Sequence, residues 1–530
     1  MTTPRLTVAL TSLFAVTSIA LAAQDIEFTA AAAGRTLPAA YFELIQAQPD
    51  FFTLTPAWVN KAADAAARGA ALEGELKIMV VQALHADSPE PLFTADDLAR
   101  VYFTGPYANG TLAEFYDEVS GGRLAVTGNV ADWVRTSLTR GEVVGTSYGL
   151  GGGTRIGEYL VEALDSVDVT VDFGLYDNDG PDGLPNSGDD DGTVDLVAFQ
   201  FTEISASCGG PGIWPHRSSI RGRTGSEYVT DDSQPGGAPI TVNGYTIQSV
   251  VNCGGVTITT AGTMAHELGH AIGLPDYRHH VGGVEPQYRR WLLGCWALMS
   301  GGSWGCSDVP SALWVRPPHM SPIAKLELGW LGNVIDVTDA ELHEFTLEPV
   351  QTSEQVLRVP LQGSDEFLLV EFRDKIGFDL ALPAAGVLIY HMEPARVYPC
   401  ADCERLYPFY IVEADGRGDL LRTSLEGGNI GEASDMFGGA GPVSFTNYTN
   451  PGTHLNSGEE SAVNFYRIAI EGGVANIILS NSPTSIERLV EPFLQGGAVP
   501  LTDPEKDFLD AIGNVNGRYD VGDLRARLRR

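Results

Sequence analysis

The sequence predicts an α+β protein made of two principal units followed by a short helical tail. Three observations carry this. At 530 residues the chain is too long for one ordinary core. Strand and helix patterns interleave from residue 75 to about 335. From about 340 to 482 short apolar runs recur between Gly, Pro, Asn and Asp, a spacing that suggests a β-sandwich or jelly-roll. With 44% hydrophobic and 19% charged residues, the composition is that of a globular chain.

Taken in order, Arg5 is a positive n-region, Leu6 to Ile19 are largely apolar, and Ala20-Leu21-Ala22 fits a small-x-small cleavage site. Residues 1–22 therefore read as an export signal, and the expected destination is extracellular. No later stretch approaches the roughly 18 apolar residues of a membrane span. Residues 23–74, with an Ala-rich helical pattern over 57–71, read as a pro-segment. Leu76 to Leu84 is an apolar strand, followed by helical patterns at 94–102 and 112–119, a strand at 124–126 and a helix near 155–164. Residues 194–201 read as a buried strand and 257–272 as a buried helix. Beyond Gly332 the predicted strands are 356–361, 367–372, 386–392, 409–413 and 474–479. The tail, 484–530, is helical at both ends.

Charge and cysteines narrow the function. Lys and Arg number 33 against 68 Asp and Glu, a formal charge of −35, which argues against nucleic acid as a partner because a phosphate backbone selects basic surfaces. Six cysteines in an exported chain point to disulfides, with 15 possible connectivities. Cys295 with Cys306 and Cys400 with Cys403 are close enough for local pairs, which would leave Cys208 with Cys253.

The decisive stretch is Met264-Ala-His-Glu-Leu-Gly-His-Ala-Ile-Gly-Leu-Pro-Asp276. Residues four apart share a helix face, so His266 and His270 can turn two imidazoles to one cation, with the Glu267 carboxylate beside it to take a proton from bound water. Gly273 can adopt a left-handed conformation at the helix end and Pro275 discourages further helix. That turn can return Asp276 as a third ligand, although an Asp there can equally cap the turn. Three protein ligands leave a fourth position open, as in catalytic zinc sites.

Downstream, Cys295-Trp-Ala-Leu-Met-Ser-Gly-Gly-Ser-Trp304 sets Met299 among small turn residues. With Ile213-Trp-Pro-His-Arg217, Ser321-Pro-Ile-Ala-Lys-Leu-Glu-Leu-Gly-Trp330 and Gly386-Val-Leu-Ile-Tyr-His391, these stretches make the chain similar to the immune inhibitor A-like secreted bacterial metalloproteases, in the metzincin group. The resemblance spans roughly 75–480. It implies a zinc endopeptidase acting on protein or peptide substrates, bound calcium, a propeptide, and Met299 as an apolar floor under the metal. Residues 75–335 would be the metzincin-like catalytic domain and 340–482 the family's β-rich domain. Tyr277, His279, His280 and His319 are candidate oxyanion donors, and His216 and His391 read as packing residues or as partners of ligands.

Two further segments suggest cations. Residues 177–195 hold seven Asp in nineteen positions, and Asp177, Asp179, Asp189, Asp191 and Asp195 around Gly192 have calcium-loop spacing. In the tail, aligning Gly517 with the glycine of an EF-hand loop sets Asn514, Asn516, Asp520 and Asp523 at ligand positions 3, 5, 9 and 12, like one dockerin half-repeat. Ile512 stands where an Asp is needed and no second repeat follows, which leaves calcium there open and counts against a cohesin-type partner. The competing function is a non-catalytic extracellular binding protein on a peptidase fold.

Overall fold

The computed structural model describes residues 37–527 apart from 53–56, 282–285, 307–315, 338–341, 397, 399–406, 482–485, 495–500 and 512. The export signal, the start of the pro-segment, Cys400, Cys403 and Ile512 lie outside the described residues.

A six-stranded sheet organises the first half. Strands β1 (Gly74–Leu84), β2 (Leu124–Val130), β3 (Val134–Arg135), β4 (Val197–Phe201) and β8 (Gly244–Ser249) run parallel in the order β2-β1-β4-β8, with β3 continuing alongside the end of β1. Between β4 and β8 come β5 (His216–Ser219) and a hairpin of β6 (Tyr228–Ser233) with β7 (Pro239–Val242). Strand β5 pairs antiparallel with β8 and forms the edge of the sheet. Because the central strands are covered on both faces, they read as continuous apolar runs rather than alternating ones. Met79, Val81, Phe199 and Ile247 pack on the helix Ile156–Asp168, while Ile78, Val80 and Ala198 join a second core with the helices Leu112–Ser120 and Gly262–Ala271.

That second core continues into the β-rich half. Strands β11 (Asn333–Asp336), β13 (Gln355–Pro360), β14 (Phe367–Arg373), β15 (Gly386–Met392) and β16 (Phe409–Ile411) form one sheet. β12 (Leu342–Leu347), β17 (Val463–Glu471) and β18 (Val474–Asn481) form another. A two-residue ribbon of β9 (His279–His280) and β10 (Arg289–Arg290) precedes them. The two larger sheets share a core of Leu368, Val370, Ile389, Phe465 and Ile477, as a sandwich requires. The opposite face of β14 and β15, with Leu369, Leu388 and Tyr390, packs into the core that holds Gly262–Ala271. Every residue of β14 and β15 is therefore buried.

Two expectations shift. The helix expected over 257–272 begins only at Gly262. Before it, Asn252 and Thr257 close a turn (N–H to carbonyl, 2.9 Å) next to the Cys208–Cys253 disulfide. The Ala-rich helix runs over Ala57–Ala67, where Trp58 enters the main core and Val59 lies against Gly273. Of the disulfides, Cys208–Cys253 and Cys295–Cys306 are formed.

Candidate metal centre

The helix Gly262–Ala271 is buried along almost its whole length; the His266 and His270 rings face each other with centroids 4.7 Å apart, and Glu267 between them in sequence is buried as well. Gly273 has φ of 98°, the left-handed region that glycine enters without a Cβ clash. Its N–H bonds the His270 carbonyl at 3.0 Å, and the Leu274 N–H reaches back to Gly269 at 3.0 Å. This reversal does two things. It delivers the Asp276 carboxylate to the histidines, and it presents the Leu274 carbonyl to Nδ1 of His270 at 2.7 Å.

His266 is oriented likewise, with Nδ1 at 3.0 Å from the Leu298 carbonyl. A carbonyl only accepts, so both rings carry their proton on Nδ1 and offer a bare Nε2 lone pair. The two Nε2 atoms are 3.2 Å apart, and Asp276 Oδ1 is 3.3 Å from that of His266. Burial, reinforced by the Arg217 charge, holds the His270 pKa well below its ordinary value, which keeps that imidazole neutral. Two imidazole nitrogens and a carboxylate oxygen, facing one another with no proton between the nitrogens, form a donor set that suits zinc.

Partners beyond the three ligand candidates hold them in place. The Arg278 guanidinium engages both Asp276 oxygens, Nη1 to Oδ1 at 3.0 Å and Nη2 to Oδ2 at 2.9 Å. Burial opposes the Asp276 charge, yet the Arg278 guanidinium holds its pKa well below the usual carboxylate range. The Tyr398 hydroxyl, from the β-rich half, fastens the turn between the Asp276 and Arg278 carbonyls and accepts the Arg278 N–H at 2.8 Å. Met299 lies under the helix at Gly269, where an added Cβ would come within 2.4 Å of its sulfur.

The suggested oxyanion donors have neighbours of their own. Tyr277 is buried edge-on against Phe409 at 5.3 Å, His279 lies over Tyr407 at 5.2 Å, and His319 has Glu118 at 4.0 Å from its Nε2. His280 lies in β9, paired with Arg289. His216 bonds the Trp214 carbonyl at 2.7 Å and Tyr245 at 3.1 Å, and His391 pairs with Glu366 at 2.5 Å. The polar group that does reach the site is Arg217, whose Nη1 is 3.3 Å from Oε2 of Glu267. Sequence reading passed over Arg217 because its partner lies 50 residues away on another element. The alternation of side chains along β5, with His216 on one face and Arg217 on the other, was the available signal.

Of the five loop aspartates, the fold brings Asp177, Asp179 and Asp195 together, with one oxygen of each within 4.8 Å of the others. Asp189 and Asp191 do not join them: both are exposed and take loop N–H donors, from Asp182 at 3.1 Å and Thr193 at 2.8 Å. Burial first, then Asp190, Asp191 and Asp179, raises the Asp177 pKa to about 7. Oδ1 of Asp177, Oδ1 of Asp195 and Oδ1 of Asn178 are buried acceptors without a donor. An all-oxygen pocket of this kind fits a hard cation.

In the tail, the helices Asp503–Ala511 and Val521–Arg527 flank the loop, and the missing carboxylate is supplied by Asp510. It accepts the N–H groups of Asn516 and Gly517, each at 2.8 Å. Asp523 accepts those of Asn514 at 2.8 Å and Asp520 at 2.7 Å, so backbone donors occupy both carboxylates.

Residues 97–331 match the model of the immune inhibitor A peptidase M6 catalytic domain. The resemblance read from the motifs is thus borne out. Pre-pro-metalloprotease PrtV of Vibrio cholerae serotype O1 (strain M66-2) is 29% identical over 218 residues, which is 38% of this chain and 22% of the relative. Immune inhibitor A of Bacillus thuringiensis subsp. alesti is 28% identical over 252 residues, 44% of this chain and 34% of the relative. The alignments therefore cover about a fifth and a third of those proteins. Among the described residues no helix is long and apolar enough to cross a membrane.

Proposed function

We propose that this chain is a secreted zinc endopeptidase of the metzincin type that cuts extracellular proteins. Residues 75–335 are its catalytic domain, 23–74 a pro-segment, 340–482 a β-rich domain and 484–530 a tail. The observation that carries the reading is the convergence of His266 Nε2, His270 Nε2 and the Asp276 carboxylate, with Glu267 one residue along the same helix.

Zinc held by these three residues supplies a Lewis acid that lowers the pKa of bound water towards about 7. The chain does the rest. The carbonyls of Leu298 and Leu274 hold the imidazoles with Nε2 inward, and Arg278 holds the Asp276 carboxylate. Glu267 accepts the proton of the attacking water and returns it to the leaving amine, the work of a general base placed beside the nucleophile. No covalent intermediate is formed, so neither a serine nor a cysteine is needed. Calcium at Asp177, Asp179 and Asp195 fixes the entry to β4.

The test is metal analysis of the purified protein together with casein cleavage. One zinc per chain is expected, with activity abolished by 1,10-phenanthroline and by Glu267→Ala. An active Glu267→Ala protein would remove the general base from the scheme. Stoichiometric zinc without any cleavage would favour the non-catalytic binding protein.

A further inference from the structure

We infer that Arg217 is a positioning residue that fixes the Glu267 carboxylate for proton transfer; this rests on the peptidase reading above. Arg217 occupies the edge strand β5, and its side chain leaves the face opposite to that of His216 and Ser218. Ser218 bonds the Phe51 carbonyl at 2.6 Å, whereas Arg217 reaches across to the helix Gly262–Ala271. Arg217 is 4% exposed and Glu267 7% exposed, so the pair at 3.3 Å is shielded from water.

Among the described residues Arg217 is the one side chain in an ion pair or hydrogen bond with the Glu267 carboxylate. It engages Oε2 and leaves Oε1 for the nucleophile. A glutamate has three rotatable side-chain bonds, and the next residue in the helix, Leu268, packs in the core. Without a fixed donor the carboxylate would sample several rotamers, and misplacement of a reacting group by about 1 Å can cost on the order of 100-fold in rate. A shielded pair restricts both partners to one arrangement.

The experiment uses the full zinc-loaded protein with a peptide substrate, and the variants Arg217→Met and Arg217→Lys. Arg217→Met is expected to lower kcat roughly 10- to 100-fold while KM stays within about threefold, since a group acting only through the base leaves substrate binding alone. Arg217→Lys, which keeps the charge and loses the planar fork, should recover part of kcat. Zinc content should be unchanged in both. A second readout needs no activity: melting of the metal-free protein in a cycle of Arg217→Met, Glu267→Gln and the double variant, where the double should lose less than the sum of the singles. Wild-type kcat in Arg217→Met, a rise in KM at constant kcat, or additive melting shifts would each overturn the assignment. If the wild-type protein itself cleaves nothing, the peptidase reading fails, and the melting cycle still decides whether Arg217 holds Glu267.

Discussion

Nε2 of His266 and Nε2 of His270 lie 3.2 Å apart, each on a ring whose Nδ1 proton is committed to a backbone carbonyl. Two lone pairs at that distance repel unless a cation lies between them. Zinc should therefore stabilise the fold by the mass-action relation, about 4 kcal/mol when free zinc is a thousand times Kd. Melting curves across a buffered zinc series should rise in the wild type and stay flat in His270→Asn. A His270→Asn protein with the wild-type zinc response would place the metal elsewhere.

Asp276 is fully buried and shares both its oxygens with Arg278. Breaking a buried ion pair from one side costs about 3–5 kcal/mol, because the remaining charge stays in the interior. Asp276→Ala should therefore lose stability even in metal-free buffer, whereas Asp276→Ala with Arg278→Met should lose less. Urea unfolding in the presence of chelator measures both. Equal losses in the single and double variants would show that Arg278 is held by other groups.

Calcium and protons should compete for Asp177, Asp179 and Asp195. Burial, followed by the neighbouring aspartates, raises the Asp177 pKa to about 7, and burial raises those of Asp179 and Asp195. An Asp in the unfolded chain ionises near 3.9. The folded, cation-free site thus binds more protons than the unfolded chain, and its contribution to stability is greatest below about pH 4 and falls as pH rises towards 7. A bound cation reverses that loss. The rise in Tm on adding calcium should accordingly be larger at pH 7.5 than at pH 5, and Asp195→Asn should shrink it at pH 7.5. A pH-independent calcium shift would contradict this site.

What sequence could and could not reveal follows the range of each interaction. The offsets of His266, Glu267 and His270, and the break at Gly273 and Pro275, are local consequences of helix geometry, so they were legible. The runs of β14 and β15 were legible as strands, but that both faces are buried depends on a second sheet and a distant helix. The edge strand His216–Ser219 is polar and short, and neither it nor the reach of Arg217 to Glu267 leaves an apolar signature. The oxyanion candidates could not be ranked from sequence, since the rings that Tyr277 and His279 meet, Phe409 and Tyr407, belong to the distant β-rich half. In the acidic loop the Asp spacing suggested five ligands, but Asp189 and Asp191 are used by the loop's own N–H groups.

Gly269 lies between the two histidines, and a Cβ there would stand 2.4 Å from Sδ and 3.0 Å from Cε of Met299. Helix propensity alone would make Gly269→Ala stabilising by about 1 kcal/mol. Overpacking a full core costs about 1–3 kcal/mol, and Met299, only 1% exposed, has its carbonyl tied to the Tyr277 N–H at 2.7 Å. A side chain so fully buried has little free space to shift into, so the steric cost should win and Gly269→Ala should be destabilised. It should also bind zinc more weakly, because the same strain acts between His266 and His270. Trimming the floor in Gly269→Ala with Met299→Ala should recover part of the zinc affinity, although the cavity keeps stability low. Zinc titration and urea unfolding of the two proteins separate these effects. A Gly269→Ala protein more stable than the wild type would show that Met299 is free to swing aside, and that the floor under the site is not rigid.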